Sequence, residues 1–284
     1  MQRSLRTKLQ MELYKKILVA VDGSEASLHA LNEAVRLSYW VRGSVRVISV
    51  VPPYEGDLRF AGVKNIKALL REPCENILAK IKETAEEIGA AVEAVCREGE
   101  PFEKIIEFAE TEGCDLIVTG IEEKHPVYRK LIGGVTEKVV RSGSRDVLVI
   151  PDETQIDWNR ILIAVYGSQA DRIAAVKAIE IAKAYGGKLL ILSVSGNDSA
   201  ETIKKTEEYI REIESLSSGI ANKSFMKTGN TAKAITGLAA EQKADLIVMG
   251  ASGEKRMMNF FSKSPAGKVL YSSPCPVLVV KNRY

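Results

Sequence analysis

The sequence is poor in the features that mark several large classes of protein. Its 284 residues carry a net charge of only +3, which is too small to indicate a nucleic-acid partner. No apolar run approaches the roughly 18 residues of a membrane-spanning helix, so we expect no membrane insertion. The two histidines, His29 and His125, fall in different predicted elements and indicate neither a metal cluster nor a catalytic triad.

Cysteine is also scarce. The four cysteines are Cys74, Cys96, Cys114 and Cys275. Their spacing shows no pairing pattern, which predicts free thiols in a reducing cytoplasm. The chain starts with a basic stretch that has no apolar signal-peptide core, and we interpret residues 1–14 as an N-terminal extension of a cytoplasmic protein.

The sequence contains an internal repeat. We call its first half copy one and its second half copy two. Residues 16–24 (KILVAVDGS) return as residues 160–168 (RILIAVYGS), and residues 115–120 (DLIVTG) return as residues 245–250 (DLIVMG). A repeat of this length exceeds the solenoid unit of about 20–50 residues and indicates two related domains. The offset between copies falls from 144 to 130 residues, so copy one carries 14 additional residues, which we expect in a surface loop after its second strand.

Within each copy, valine-rich runs alternate with helical patterns, and Ser24 is suited to cap the first helix. This alternation predicts an α/β fold of two tandem, doubly wound, Rossmann-like domains, each with a five-stranded parallel sheet and helices on both faces. The predicted division is an N-terminal extension (1–14), a first domain (15–151), a linker (152–159) and a second domain (160–284). Trp158 is expected to anchor the linker. Ligands of such sheets bind where the strand order reverses, which indicates the turns after the first and fourth strands.

The turn after the fourth strand of copy two has a distinctive spacing. Gly250 and Gly253 are followed, after nine residues, by Lys263 and Ser264. Together with the opening KKILVAVDGS and the closing CPVLVV, this spacing resembles the universal stress protein family, whose nucleotide-binding members carry Gly, two residues, Gly, nine residues, Gly and then Ser or Thr. The resemblance covers nearly the whole of both copies. It implies an adenine nucleotide, ATP or AMP, as the ligand, with Mg²⁺ accompanying ATP.

The resemblance also implies which residues contact the nucleotide. In copy one these are Ala20, Val21, Asp22, Val50, Gly120, Gly133 and Gly134. In copy two they are Ala164, Val165, Tyr166, Val194, Gly250, Gly253, Lys263 and Ser264. In the family, the Asp after the first strand helps to bind adenosine, and the residue that corresponds to Val50 and Val194 lines the adenine pocket. Glycines let backbone N–H groups approach phosphate, and the following helix presents its N-terminus to the anion.

Each copy departs from the family pattern at a different end. Copy two keeps most of the phosphate loop, although Lys263 replaces the third glycine, but it carries Tyr166 where copy one has Asp22. In copy one, Glu123 replaces the second glycine. The carboxylates of Glu122 and Glu123 would oppose phosphate, point outward, or hold Mg²⁺. We therefore expect copy one to prefer AMP or adenosine, and copy two to prefer ATP.

Three functions follow from these patterns. The favoured hypothesis is a non-catalytic, adenine-nucleotide-binding regulatory protein of the stress response, with at most slow ATP hydrolysis, because no general base or nucleophile is evident. The alternative is a structural or interaction module that has lost the ligand. An enzyme on a related fold, such as an adenylating enzyme, would need a Ser-Gly-Gly or His-x-x-His signature near the first strand, where residues 22–24 read DGS.

The resemblance further implies how the copies associate. Family members dimerise through their last strands, here residues 147–150 (VLVI) and 277–280 (VLVV). The two copies are therefore expected to pack as an intramolecular pseudo-dimer, in which each final strand covers the exposed edge of the other. Association of two chains into a homodimer is left open.

Overall fold

The computed structural model describes residues 13–53, 66–87, 90–122, 134–195, 199–251 and 264–282. Copy one contains the strands β1 (Lys16–Ala20), β2 (Ser44–Val51), β3 (Val92–Glu98), β4 (Leu116–Ile121) and β5 (Asp146–Pro151). Its helices are α1 (Glu25–Val41), α2 (Ile66–Glu87), α3 (Pro101–Thr111) and α4 (Gly134–Ser142). The strands of copy two are β6 (Arg160–Val165), β7 (Lys188–Ser195), β8 (Asn222–Thr228), β9 (Leu246–Gly250) and β10 (Val277–Val280). Its helices are α5 (Gln169–Tyr185), α6 (Ala200–Leu216), α7 (Thr231–Glu241) and α8 (Pro265–Ser272).

These strands form one sheet in the order β3-β2-β1-β4-β5-β10-β9-β6-β7-β8. Within each copy all pairings are parallel. The copies meet through β5 and β10, which pair antiparallel with Leu148 opposite Leu278. The predicted fold and the predicted contact between the final strands are therefore confirmed. The strand order reverses between β1 and β4 and between β6 and β9, which creates one crevice per copy at the carboxyl ends of the strands.

The continuous apolar runs of the strands are explained by helices on both faces. Side chains alternate between the two faces of a strand, so a sheet covered on both sides needs apolar residues throughout. Ile17 and Val19 pack on the face that α1 and α2 cover, whereas Leu18 and Ile117 pack on the face that α3 and α4 cover. Burying each such side chain contributes about 1.5–3 kcal/mol, which stabilises both layers. Among the described residues, no helix is long and apolar enough to cross a membrane.

The additional residues of copy one lie in a single connection, as predicted. β2 and β7 are offset by 144 residues, whereas β3 and β8 are offset by 130, so all 14 additional residues separate β2 from β3. Part of them lengthens the helix, because α2 has 22 residues where α6 has 17. Residues 54–65 of this connection lie outside the described ranges.

The expectation of four free thiols is wrong for one pair. Cys74 on α2 and Cys96 on β3 form a disulfide, with their Cα atoms 6.2 Å apart. The bond joins a helix to the edge strand on which that helix packs. Such a tertiary contact leaves no signature in the spacing of cysteines along the chain, which is why the sequence did not predict it. Cys114 and Cys275 are free and buried, as expected.

The connection between the copies is fixed to one face of α1. The Nε2 atom of His29 donates a hydrogen bond to the carbonyl oxygen of Thr154 at 2.6 Å. The main-chain N–H of Ile156 donates to the buried carboxylate of Glu33 at 2.6 Å. Arg36 in turn donates to the carbonyl oxygen of Ile156. The linker is therefore held by three side chains that lie about one helical turn apart on α1.

Trp158 anchors the end of this connection, as predicted. Its side chain is buried and contacts the ring of Tyr185 edge-to-face, with centroids 4.4 Å apart. Trp40, near the end of α1, contacts the other side of the same indole at 6.1 Å. Aromatic pairs of this geometry contribute about 0.5–1.5 kcal/mol beyond the area they bury, so the cluster ties α1 to α5 across the linker.

Candidate functional site

The crevice of copy one lies where β1 and β4 end beside the start of α1. The two strands are in register at Val19 and Val118, so Gly120 lies beside Val21. The first turn of α1 crosses directly over this point, and a Cβ atom built on Gly120 would lie 2.1 Å from the carbonyl oxygen of Ala26. No side chain fits in this space. Packing therefore requires glycine at position 120 whether or not phosphate binds.

Copy two repeats this arrangement. A Cβ atom built on Gly250 would lie 2.4 Å from the carbonyl carbon of Ala170, in the first turn of α5. Neither Gly120 nor Gly250 has a positive φ, so close approach of backbone, and not conformational freedom, is what requires glycine there. Positive φ occurs instead in the turns after the first strands, where φ is 88° at Gly23 and 87° at Gly167. These two turns have matching backbones, which allows their side chains to be compared directly.

Asp22 stands on the outside of the turn in copy one. Its side chain is exposed, and its Oδ1 atom accepts hydrogen bonds from the main-chain N and the Oγ of Ser24 at 3.0 and 2.6 Å. Partial burial raises the pKa of Asp22, but the hydrogen bonds from Ser24 outweigh this effect and hold the pKa below its usual value. The carboxylate is therefore ionised at neutral pH. A hydrogen bond from the side chain of Ser27 lowers the pKa of Asp22 further.

Copy two carries its carboxylate at a position that the sequence reasoning missed. Tyr166, the equivalent of Asp22, is 47% exposed. The carboxylate belongs instead to Asp171, whose Oδ2 atom accepts from the main-chain N of Tyr166 at 3.0 Å. The same atom accepts from the N and Oγ of Ser168 at 3.0 and 2.7 Å. Ser168 caps α5 in return, which completes a capping box. The Ser-x-x-Asp pattern before an apolar helix was a readable signal of this arrangement.

The predicted base end of the site is an apolar shelf. In copy one, Ala20 and Val50 are half-buried and pack on the sheet face that α3 and α4 cover. Their equivalents in copy two, Ala164 and Val194, lie on the corresponding face and are buried. The structure thus brings the two members of each pair to one face at the carboxyl ends of adjacent strands.

The other predicted residues contribute in different ways. The side chains of Val21 and Val165 are buried on the opposite face of the sheet, so their backbone alone can reach the crevice. Gly134 is exposed at the start of α4. Ser264 is buried and caps α8, where its hydroxyl accepts from the N–H of Gly267 at 3.1 Å. The remaining predicted loop residues, which lie outside the described ranges, are Glu123, Gly133, Gly253 and Lys263.

The two crevices therefore offer different chemistry. Copy one presents an ionised, exposed carboxylate just beyond β1, the strand that carries Ala20 of the half-buried apolar shelf, an arrangement that can accept hydrogen bonds from a flat, partly apolar ligand. Copy two presents the N-terminus of α8, where the helix dipole favours an anion, although Pro265 has no N–H and the N–H of Gly267 already donates to Ser264. The described part of the chain holds no group of three His, Cys, Asp or Glu side chains that could bind a metal ion.

Comparison of the sequence with known proteins identifies relatives of both halves. The model of the universal stress protein family matches residues 13–151 and again residues 157–281. Universal stress protein MJ0531 of Methanocaldococcus jannaschii is 37% identical over 140 residues, which cover 49% of this chain and 82% of that protein. Universal stress protein MJ0577 of the same organism is 30% identical over 154 residues, which cover 49% of this chain and 95% of that protein.

Comparison of the fold gives the same outcome over the full length. A universal stress protein from Archaeoglobus fulgidus DSM 4304 superposes with a TM-score of 0.76 at 23% identity, covering 94% of this chain and 96% of that one. A putative universal stress protein from Pseudomonas aeruginosa UCBPP-PA14 superposes with a TM-score of 0.68 at 18% identity, covering 97% and 95%. At these identities the likeness establishes the tandem fold.

Proposed function

The chain belongs to the universal stress protein family, and we propose that it binds an adenine nucleotide, ATP or AMP, as a regulatory ligand. The functional units of this proposal are residues 15–151 and 160–284, joined by residues 152–159. The observation that carries it is the carboxylate of Asp22, which stands exposed at the strand reversal of copy one, two residues beyond Ala20 of the apolar shelf.

Copy one suits the nucleoside part of the ligand. A carboxylate accepts hydrogen bonds from hydroxyl and amino groups, and each charge-assisted bond contributes about 1.5–3 kcal/mol. The half-buried side chains of Ala20 and Val50 offer an apolar surface to a base. Glu122, exposed just beyond β4, adds a negative charge on the phosphate side. Because a like charge at about 4 Å costs about 1–4 kcal/mol, we assign AMP or adenosine, and not ATP, to copy one.

Copy two suits the phosphates. Ser264 caps α8, whose N-terminus presents the positive end of the helix dipole. Gly250 begins the loop of this proposal, and Gly253 and Lys263, outside the described ranges, complete it. The ammonium group of Lys263 would attract phosphate, and Mg²⁺ would accompany the polyphosphate. We therefore assign ATP to copy two.

The nucleotide is proposed as a ligand and not as a substrate. A general base works best when its pKa lies near the operating pH. Partial burial raises the pKa of Asp22, but hydrogen bonds from Ser24 lower it by more, so Asp22 is a weak base at neutral pH. In copy two, to which we assign ATP, the carboxylate of Asp171 is buried and one of its oxygens already accepts three hydrogen bonds, so any hydrolysis of ATP is expected to be slow.

A second candidate function, an interaction module without a ligand, is favoured by one specific observation. Gly120 and Gly250 are both explained by the helix turns that pack over them, and Ser264 is explained by its capping of α8. These residues would be retained for packing alone, so they do not by themselves require a nucleotide.

One experiment separates the two functions. The full-length protein is incubated with ATP and AMP and desalted, and the retained nucleotide is identified by mass spectrometry; calorimetric titration then gives the affinities for ATP, AMP and adenosine. Asp22→Ala should weaken the binding of AMP and adenosine by at least about 10-fold. Glu25→Ala, which removes an exposed carboxylate in the first turn of α1, is the matched control and should not. If no nucleotide is retained and none gives heat, the interaction module is the better account.

A further inference from the structure

The turn after the first strand and the helix that follows it carry a carboxylate at a different position in each copy. Because β1 and β6 are offset by 144 residues, Asp22 is equivalent to Tyr166 and Ser27 is equivalent to Asp171. At this pair of positions each copy therefore has one carboxylate. In copy one it stands at the outer position of the turn, and in copy two it stands in the first turn of the helix.

The exchange preserves the hydrogen bonds of the turn. In copy one, Asp22 accepts from the N and Oγ of Ser24 at 3.0 and 2.6 Å. In copy two, Asp171 accepts from the N and Oγ of Ser168 at 3.0 and 2.7 Å. The main-chain N–H at the start of the turn donates to the Oγ of Ser27 at 3.3 Å in copy one, and to Asp171 at 3.0 Å in copy two. The donors of the serine are thus satisfied from the outer position in copy one and from the first turn of the helix in copy two, whereas the N–H at the start of the turn is satisfied from the helix in both copies.

The exchange does not preserve access to the carboxylate. Asp22 is exposed, and a single oxygen, Oδ1, accepts both hydrogen bonds from Ser24. Asp171 is 5% exposed, and one of its oxygens already accepts three hydrogen bonds. A ligand that took this oxygen would leave the donors of Tyr166 and Ser168 without their acceptor. At the outer position copy two has Tyr166, whose pKa is raised by partial burial and by the Asp171 carboxylate, so the phenol is neutral.

We propose that this exchange selects the copy that accepts the nucleoside: Asp22 receives its hydroxyl or amino donors in copy one, whereas copy two has no carboxylate at that position, because Asp171 satisfies the turn from within, and holds ATP mainly through its phosphates. This inference rests on the proposed function and adds the residues that determine specificity. Asp171 is a positioning residue, because it acts on the turn and not on the ligand. Since Ala164 and Val194 retain the apolar shelf, exchanging the pair Tyr166 and Asp171 should open copy two to a nucleoside.

A measurement without ligand tests the exchange itself. Asp171→Ser removes the acceptor of three hydrogen bonds and should lower the Tm of the full-length protein by about 5 °C. Adding Tyr166→Asp to the same chain should restore most of this loss, because the new carboxylate can accept from Ser168 from outside the turn. A double variant that melts no higher than Asp171→Ser overturns the proposal.

Calorimetric titration with adenosine tests the selection. The wild type should bind one adenosine per chain, and Tyr166→Asp/Asp171→Ser should bind two. The reverse exchange, Asp22→Tyr/Ser27→Asp, should weaken binding by at least about 10-fold while changing Tm by no more than about 2 °C. A double variant of copy two that gains no second site overturns the selection even if its Tm is rescued. A wild type that binds no adenosine overturns the proposed function and the selection with it, whereas the Tm rescue still decides whether the carboxylates are exchanged.

Discussion

Replacing Lys281 by methionine should remove a pH dependence that is built into the contact between the two copies. Asp146, which begins β5 and is 1% exposed, accepts hydrogen bonds from the hydroxyl of Tyr14 and from the main-chain N of Lys281, both at 2.9 Å. The Lys281 side chain is buried beside them and donates to the carbonyl oxygen of Val140. Burial lowers the pKa of Lys281 to about 8, against a smaller opposing effect of the Asp146 carboxylate.

The lowered pKa fixes both the direction and the size of the effect. Between about pH 8 and 10.5 the unfolded chain keeps a proton on Lys281 that the folded protein has lost, so the free energy of unfolding rises with pH in this window. A pKa that falls from 10.5 to about 8 corresponds to about 3 kcal/mol. Below about pH 8 both states are protonated, and the contribution no longer changes. Lys281→Met has no such group and should lack this rise.

The assay is urea unfolding, followed by tryptophan fluorescence at about pH 7.5, 8.5 and 9.5. The free energy of unfolding of the wild type should gain about 2 kcal/mol relative to Lys281→Met over this interval. The quantity to compare is the difference in the free energy of unfolding between the two proteins. Burial also raises the pKa values of Cys275 and Tyr271 to about 12, and these shifts lower the stability of both proteins as the pH rises. Lys188→Met, which removes an exposed ammonium, is the control. A difference that stays constant with pH would refute the argument.

Three other predictions concern packing and covalent structure. Gly120→Ala should lower the free energy of unfolding by more than about 2 kcal/mol because its Cβ would collide with the backbone of α1, whereas Gly237→Ala, in open space on α7, should raise it by up to about 1 kcal/mol in the same denaturant assay. Reduction with dithiothreitol should lower it by about 2–4 kcal/mol, and a Cys74→Ser chain should show no further response to the reductant. Glu33→Ala leaves the N–H of the linker unpaired and should cost about 1–3 kcal/mol, against little change for the exposed Glu25→Ala; equal effects of the two would contradict the linker contact.

The fold could be predicted from the sequence because the signals involved are local and are repeated. A buried parallel strand reads as an unbroken apolar run, as at residues 16–20 and 160–165, and each run is followed by a helix pattern. The offset between copies then located the additional residues in the connection between β2 and β3. The pairing of β5 with β10 was accessible only through the family resemblance, since nothing in either strand states which edge it covers.

Two features were not predicted from the sequence because they depend on which side chains meet in the folded protein. The disulfide joins Cys74 to Cys96 across a helix and a strand, and its partners become neighbours only when α2 packs on β3. The carboxylate of copy two was missed for a different reason. Comparison of the copies at the position of Asp22 shows Tyr166 in copy two and therefore the loss of a carboxylate. Asp171, five residues later in the first turn of the helix, supplies an equivalent acceptor.

The glycines of the two crevices show why a correctly identified phosphate-loop motif does not by itself identify the ligand. Gly120 and Gly250 fit the pattern of a phosphate loop, but each lies under a helix turn that no side chain could approach. Packing retains both, so their presence carries no information about which copy binds. Asp22 and Tyr166 are not required for core packing, since both side chains are exposed. Core packing does not constrain this exposed position of the turn. The difference between the copies there is therefore evidence about which ligand each copy binds.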